Sequence, residues 1–268
     1  PFAIGSSGLI SACSNEEAEQ QQTQSPVPAP VVRSSDPLEP NVWVTINPDD
    51  SIIVKYAGTE MGQGSMTHTP LILAEFLDAD WDKVKVEIVT VHDEAYGNPA
   101  FNNILYTAGS TNVMVYFDKM KMAGAQARKM LLSAVASSWN VNAAQLDADK
   151  SVVSHPGSGR KISYGDIVAT LTLPSDVPIV EKSEFKTESQ YSYLGKQIMR
   201  RDVPAKSDGT AEYGMDVQVP GMAYASMLRA PVEGESPLEV DDAEARNVKG
   251  VTDVVVLPHA VAVVGTTV

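Results

Sequence analysis

The sequence predicts an α+β fold, in which strands and helices follow one another without a regular repeat. Short segments alternate apolar and polar residues, as half-buried strands do. One long segment after residue 112 repeats its apolar residues at steps of three and four, as helices do. A glycine-rich turn at residues 58–64 joins a predicted strand to a predicted helix.

Composition separates the first forty residues from the rest of the chain. Residues 1–40 are predicted to be the remnant of an export signal followed by a flexible tether, and the folded part is predicted to begin near residue 41. With 268 residues, the chain is long enough to bury a large core.

Charge and cysteine content exclude several classes of function. A formal net charge of -14 opposes binding to a nucleic-acid backbone, so no nucleic-acid partner is expected. One cysteine leaves no internal disulfide and no protein-held iron–sulfur cluster within the chain. The four histidines lack metal-ligand spacing, although His68 is placed to line a site beside the glycine turn. Any metal is expected to arrive in a cofactor or on a partner.

The first forty residues indicate export. The apolar stretch 2–12 resembles the end of a signal segment, and residues 10–13 (ISAC) resemble a bacterial lipobox. Two interpretations stay open: a lipidated Cys13, or an uncleaved signal with an incidental cysteine. Residues 14–40 are rich in Glu, Gln, Ser and Pro, a composition typical of an exposed tether. We therefore expect a periplasmic protein, tethered to the membrane if Cys13 is lipidated.

The first folded region opens with a predicted hairpin. Apolar residues alternate over 42–46 and again over 52–56, on either side of a turn at residues 47–50. Residues 60–64 (EMGQG) follow, and Thr67, Thr69 and Pro70 are predicted to begin a helix that continues through the apolar run 71–77.

The glycine turn is a candidate ligand site. Glycines let the backbone approach a ligand, and free amides at a helix start favour anionic groups such as phosphate. The side chain of Gln63 adds a donor and an acceptor. The turn matches neither the Walker nor the dinucleotide pattern, so a tight turn without a ligand is the alternative interpretation.

A second polar cluster lies at residues 106–111, after a predicted strand at 84–88 and a loop at 98–103. Its alternative interpretation is ordinary helix capping by Ser110 or Thr111. The helix that follows is predicted to bury one face, with close packing at residues 123–125 and methionines 114, 120, 122 and 130 as core filler. The residues of that face are Val113, Phe117, Met120, Gly124, Ala127, Leu131, Ala134 and Ser138.

Taken in order, these motifs resemble the isoquinoline 1-oxidoreductase beta-chain family, which includes periplasmic molybdenum aldehyde dehydrogenases and belongs to the xanthine oxidase type. The resemblance runs from about residue 40 to the end of the chain. The segments that carry it are 60–64, 74–84, 107–111, 123–128, 158–165, 201–206, 209–217 and 220–222.

The resemblance implies a fold and a set of cofactor contacts. Residues 41–200 would be the N-terminal part of a molybdopterin-binding domain, and residues 201–268 the start of an α/β hammerhead domain with strands near 223–228, 251–257 and 260–264. Gln63 would bond the pterin or pyrophosphate of molybdopterin cytosine dinucleotide. Ala108 replaces the family's usual second glycine, which is tolerated only without a positive φ. The implied contacts are Met61, Gly62, Gln63, Gly64, Gly109, Ser110 and Thr111.

The resemblance also implies the reaction and its partners. An aldehyde or N-heteroaromatic small-molecule substrate would be hydroxylated with oxygen from water, and electrons would leave through 2Fe–2S clusters of a small subunit to cytochrome c. Nothing in the chain matches the segment that carries the family's base glutamate, so a partner chain is expected to complete the active site, and no catalytic residue is assigned. The alternative is a non-catalytic exported binding or assembly module that retains the fold.

Overall fold

A computed structural model describes residues 34–90 and 93–267 and confirms the predicted α+β fold. The lipobox-like segment, most of the predicted tether and His92 lie outside the described residues. The chain divides into two compact units between Ile198 and Met199. No helix within the described ranges is long and apolar enough to cross a membrane.

A four-stranded sheet forms one layer of the first unit. The strands β1 (Leu38–Asn41), β2 (Val44–Ile46), β3 (Ile52–Tyr56) and β4 (Val84–Ile88) lie in that order. The predicted hairpin is confirmed as β2 and β3, which pair antiparallel, whereas β4 pairs parallel to β3.

The predicted tether is too long at its C-terminal end. Residues 38–41 form β1 and pair with β2, and the side chains of Leu38 and Pro40 are buried. Burial of this apolar pair outweighs the polar composition that surrounds it in the sequence.

Two helices, α1 (Ser65–Leu77) and α3 (Asn112–Trp139), pack together and supply much of the core. A short helix, α2 (Asp93–Tyr96), lies between them in sequence. The predicted close packing of α3 occurs at Gly124, where a Cβ would lie 2.3 Å from the carbonyl oxygen of Leu73. The absence of a side chain at Gly124 therefore sets the distance between α1 and α3.

The predicted face of α3 is buried along most of its length. Met120, Gly124, Ala127, Leu131 and Ala134 are buried, and Val113 and Phe117 partly so. Ser138 is exposed, because in the last turn of α3 the contacts with the core are made by Ala136 and Trp139.

The methionines of α3 do not all fill the core. Met120 and Met130 are buried and Met122 packs against the core, but Met114 is 69% exposed. Met114 precedes the fully buried Tyr116 by two residues, or about 200° of helical rotation, and so points away from the core.

The remainder of the first unit is a small sheet and a short helix. The strands β5 (Asp147–Asp149), β6 (Val152–His155) and β7 (Arg160–Ser163) form an antiparallel sheet, followed by α4 (Tyr164–Thr170). The hydroxyl of the fully buried Tyr164 donates to the carbonyl of Leu77, which ties α4 to the end of α1.

A fully buried carboxylate, Glu75, fixes the segment that closes the first unit. It accepts hydrogen bonds from the Lys186 ammonium at 2.9 Å and from the backbone amides of residues 192–194 at 2.6–3.1 Å. Lys186 also pairs with Asp78, which in turn accepts from Arg128 of α3. Burial opposes ionisation of Glu75, but these donors prevail and hold its pKa below the usual 4.5.

The second unit is a three-stranded antiparallel sheet with two short helices. Its elements are α5 (Val203–Asp208), β8 (Tyr224–Arg229), α6 (Ala243–Arg246), β9 (Val251–Leu257) and β10 (Ala260–Gly265). The strand order β8-β10-β9 confirms the three predicted strands. Assignment of residues 201–268 to a partial α/β hammerhead domain stays a prediction.

Replacing Gly124 by alanine is expected to destabilise the first unit by about 1–3 kcal/mol, because the new methyl group overlaps the backbone of α1. Helix propensity alone would favour alanine by about 1 kcal/mol, so the sign of the change is diagnostic. Urea unfolding followed by circular dichroism measures it. The exposed Ser138→Ala on the same helix serves as control, and equal stability of the two variants would contradict the packing argument.

Replacing Glu75 by glutamine is expected to lower the free energy of unfolding at pH 7 by about 3 kcal/mol, since it breaks a buried ion pair. Because the folded-state pKa of Glu75 is depressed, its stabilisation is present above pH 4.5 and is lost as the pH falls through the folded value. Urea unfolding at pH 7 and at decreasing pH should show a weaker acid dependence for the variant. Glu188→Gln, an exposed change in the same segment, should behave as the wild type.

Candidate functional site

The two loops that carry the predicted contact residues line a single cavity of about 440 Å³ in the first unit. Met61, Gln63 and Ser65 form one wall, and residues 107–113 form the other. Five of the seven predicted contact residues therefore meet there: Met61, Gln63, Gly109, Ser110 and Thr111. Gly62 and Gly64 shape the loop without lining the cavity.

The first loop is organised by the Glu60 carboxylate. Its two oxygens accept backbone hydrogen bonds from Gly62 at 2.8 Å, Gly64 at 2.9 Å and Met66 at 3.0 Å. The two glycines have φ values of 101° and 84°, in the left-handed region that favours glycine. The chain thus turns tightly from β3 into α1 around an internal anion.

This geometry overturns the predicted start of the helix. The first helical residue is Ser65, so Thr67, Thr69 and Pro70 lie inside α1 and the two threonines do not cap it. The Glu60 carboxylate accepts the amide of Met66 in the first turn, so this helix start has a side-chain acceptor without a threonine cap. It also occupies donors that the sequence suggested for a ligand phosphate.

Gln63 is held by three hydrogen bonds within the loop. Its amide nitrogen donates to the carbonyl of Thr59 at 2.7 Å and to the hydroxyl of Ser65 at 2.8 Å, and its amide oxygen accepts from the backbone of Met61 at 2.6 Å. Ser65 is bonded in turn to the buried Tyr56 hydroxyl at 2.6 Å. Burial raises the pKa of Tyr56, and the nearby Glu60 charge adds to that effect, so the phenol stays protonated at neutral pH.

The second loop turns through two residues with positive φ. Gly109 (60°) and Ser110 (55°) lie between the carbonyl of Ala108 and the amide of Thr111, which are joined by a hydrogen bond of 3.3 Å as in a type I′ turn. The φ angle of Ala108 is not positive, which meets the condition under which its methyl group is tolerated.

Helix capping does not explain this loop. The Thr111 hydroxyl donates to the carbonyl of Ala108 at 2.9 Å and makes no hydrogen bond to the first turn of α3. The fully buried Asn98 donates to Thr111 at 3.2 Å and to the carbonyl of Tyr106 at 3.1 Å. The loop is therefore anchored from beneath by an amide side chain.

Three further contacts join the two loops and the helices that follow them. The amide of Thr59 donates to the Thr107 hydroxyl at 3.0 Å, and the buried Asn112 donates to the carbonyl of Ala57 at 2.9 Å while accepting from Thr69 at 3.3 Å. Gly58 leaves the space for this crossing, since a Cβ there would lie 2.5 Å from the Asn112 amide nitrogen.

The cavity offers hydroxyls, amides and little charge. Its lining contains no lysine, arginine or histidine. His68, a candidate from its position beside the glycine turn, is exposed and does not contribute to the lining. Within the described ranges, no three His, Cys, Asp or Glu side chains are grouped as metal ligands. This arrangement suits a flat, polar heterocycle held by hydrogen bonds.

Sequence reasoning missed the residues that support the loops. Glu60 belongs to the motif at residues 60–64, yet the spacing gave it no role, and the pairing of Ser65 with Tyr56 was not predicted. The buried Asn98 carried only the signal of a turn residue, because asparagine is common in turns. Its role as an anchor depends on contacts across the fold.

Comparison with known proteins gives one family. Residues 5–217 match the molybdopterin cofactor-binding domain. The chain is 40% identical over 258 residues to the beta chain of isoquinoline 1-oxidoreductase from Brevundimonas diminuta, covering 85% of this chain and 33% of that protein. It is 34% identical over 218 residues to the membrane-bound aldehyde dehydrogenase (pyrroloquinoline-quinone) of Gluconacetobacter polyoxogenes, covering 80% and 27%.

A more distant relative is one of the subunits of nicotinate dehydrogenase from Pseudomonas putida, 26% identical over 225 residues, with 81% of this chain and 18% of that protein covered. The chain thus spans a third or less of the length of these relatives. Among solved structures, quinoline 2-oxidoreductase from Pseudomonas putida 86 aligns with a TM-score of 0.37 at 14% identity, over 50% of this chain and 19% of that one. The Cu,Mo-CO dehydrogenase aligns with a TM-score of 0.34 at 18% identity, over 50% of this chain and 18% of that one.

Replacing Thr107 by valine is expected to loosen the link between the loops, because it removes the acceptor of the Thr59 amide. Loss of about 1 kcal/mol should speed exchange of that amide about fivefold. Hydrogen–deuterium exchange of peptides spanning residues 57–64 measures the change. Thr252→Val, which removes a hydroxyl from the second unit, should leave those peptides unchanged.

Proposed function

The chain belongs to the molybdopterin cofactor-binding domain family, and from this premise we propose that residues 61–65 and 107–113 hold part of a molybdenum-bearing pterin cofactor in an oxidoreductase. One observation carries the proposal: two loops separated by more than forty residues of sequence line one cavity. Each loop is fixed by buried polar side chains, as a binding wall requires.

The side chains present fit a pterin. A pterin is a flat ring system with donors and acceptors along its edges, and the cavity presents hydroxyls from Ser65, Ser110 and Thr111 together with the Gln63 amide. The Gln63 oxygen has a second lone pair beyond its bond to Met61, and the first amides of α3 lie in the wall at residues 111–113. These groups would orient the ring by hydrogen bonds.

When bound, the cofactor supplies the molybdenum centre at which a substrate carbon is hydroxylated with oxygen from water. The residues of this chain bind and orient the cofactor, and none of them is assigned a proton-transfer role. We propose the cytosine dinucleotide form, on the strength of the resemblance in residues 60–64 and 107–111.

An aldehyde or an N-heteroaromatic compound is the proposed substrate. The names of three relatives support this range, since they refer to isoquinoline, aldehyde and nicotinate. The relative named for pyrroloquinoline quinone makes that compound an alternative candidate for the cofactor. Its three carboxylates would require cationic partners, and the cavity lining has none, so we favour the pterin.

The proposed assembly has several polypeptides. Two relatives are themselves named as subunits, which supports it. We place the remaining molybdopterin contacts and the base glutamate outside these 268 residues, 2Fe–2S clusters on a small subunit, and cytochrome c as the electron acceptor. The export-like residues 1–13 support a periplasmic location, with a membrane tether if Cys13 is lipidated.

The native complex that contains this chain is expected to hold molybdenum in stoichiometric amount. Replacing Gln63 by alanine should lower its molybdenum content several-fold, since the change removes three loop hydrogen bonds and a cofactor contact. Metal analysis measures the molybdenum content, and chromatography of the nucleotide released by acid identifies the form of the cofactor. His68→Ala, a change at an exposed residue, serves as the control.

Two outcomes would overturn this assignment. Active complex with no molybdenum and an extractable quinone would favour the alternative cofactor. A complex with neither cofactor nor turnover would favour a non-catalytic binding or assembly module.

A further inference from the structure

We propose that Glu60 is a positioning residue, a built-in anion whose carboxylate sets the shape of the loop before the cofactor binds. The inference rests on the proposed function, because it assigns Glu60 a part in cofactor retention. It concerns a side chain that does not line the cavity.

The carboxylate is placed to organise the loop as a whole. It accepts from the amides of Gly62, Gly64 and Met66, which span the turn and the first helical residues. Bonds to an ionised acceptor are roughly twice as strong as neutral ones, and a negative charge is favoured at a helix start. The neutral isostere glutamine presents only one accepting oxygen. Its side-chain amide nitrogen would place two N–H donors next to the backbone N–H donors that Glu60 accepts from.

Glu60 and Gln63 together bond most of the amides from residue 61 to residue 66. The amide of Met61 is taken by Gln63, and three further amides between residues 62 and 66 are taken by Glu60. A loop with most of its amides bonded from within holds its conformation in the absence of ligand, which lowers the ordering cost of binding. The Gln63 side chain therefore faces the cavity in a fixed position.

The carboxylate also determines what the loop rejects. An anionic group of a ligand would compete with Glu60 for the amides of Gly64 and Met66 at the start of α1, and the cavity wall has no cation to compensate. Residues 61–65 are thereby reserved for the uncharged part of the cofactor, and its phosphates are excluded from the start of α1.

The test uses the assembled native enzyme with Glu60→Gln, Glu60→Ala and, as control, Glu94→Gln, an exposed carboxylate outside both loops. Release of molybdenum after dilution into chelator is expected to be about tenfold faster in both Glu60 variants and unchanged in the control. Added acetate should slow release from Glu60→Ala by filling the vacated carboxylate position, whereas neutral acetamide should not. Thermal unfolding reports any loss of overall stability.

Each outcome decides the inference. Molybdenum release from Glu60→Gln at the wild-type rate would overturn the inference. Faster release that follows a loss of overall stability, and that acetate does not slow in Glu60→Ala, would also overturn it and leave Glu60 as a helix cap only. If Glu60→Ala fails to fold, the isosteric Glu60→Gln carries the comparison. Absence of molybdenum from the wild type would instead refute the proposed function. Hydrogen exchange of residues 61–66, compared between the wild type and Glu60→Gln, then tests the positioning of the loop alone. Unchanged exchange there would refute the positioning role.

Discussion

The candidate site depends on the close contact between α1 and α3. Gly124 admits the backbone of α1 at Leu73, and contacts near both ends, from Thr69 to Asn112 and from Asp78 to Arg128, show that the helices run in the same direction. Each helix is preceded by one of the two loops. Parallel packing therefore brings the loops to the same end of the unit and makes one cavity of them.

Polar contacts beneath the cavity convert this proximity into a defined surface. The buried side chains of Tyr56, Ser65, Asn98 and Asn112 each bond to a loop or to the backbone that leads into it. Buried polar groups are costly unless they are paired, so their pairing fixes the backbone positions of both loops. The Glu75 network plays a comparable part at the opposite end of α1, where it holds residues 186–194.

In the proposed site, the local charge pattern gives the two loops different parts in binding. The start of α1 is occupied by the Glu60 carboxylate, whereas Thr111 uses its hydroxyl within its own turn and leaves the first turn of α3 uncapped. This asymmetry agrees with a cofactor that combines a neutral heterocycle with phosphate groups. It also explains why a glycine turn that resembles an anion-binding loop has no cationic side chain in the cavity that it lines.

The sequence by itself determined the hairpin β2–β3, the strand β4, the existence of the two long helices, most of the buried face of α3 and the close approach at Gly124. These features follow from period, residue size and local spacing, which are written along the chain. The resemblance to one family selected residues 61–64 and 109–111 as candidate contacts. Only the tertiary structure decided that the two loops share a cavity, that α1 begins at Ser65, and that Leu38 and Pro40 belong to the sheet. Each of those features depends on contacts between distant residues or on which acceptor bonds a given backbone amide. Sequence spacing does not reveal that the Glu60 carboxylate accepts the amides of Gly62, Gly64 and Met66.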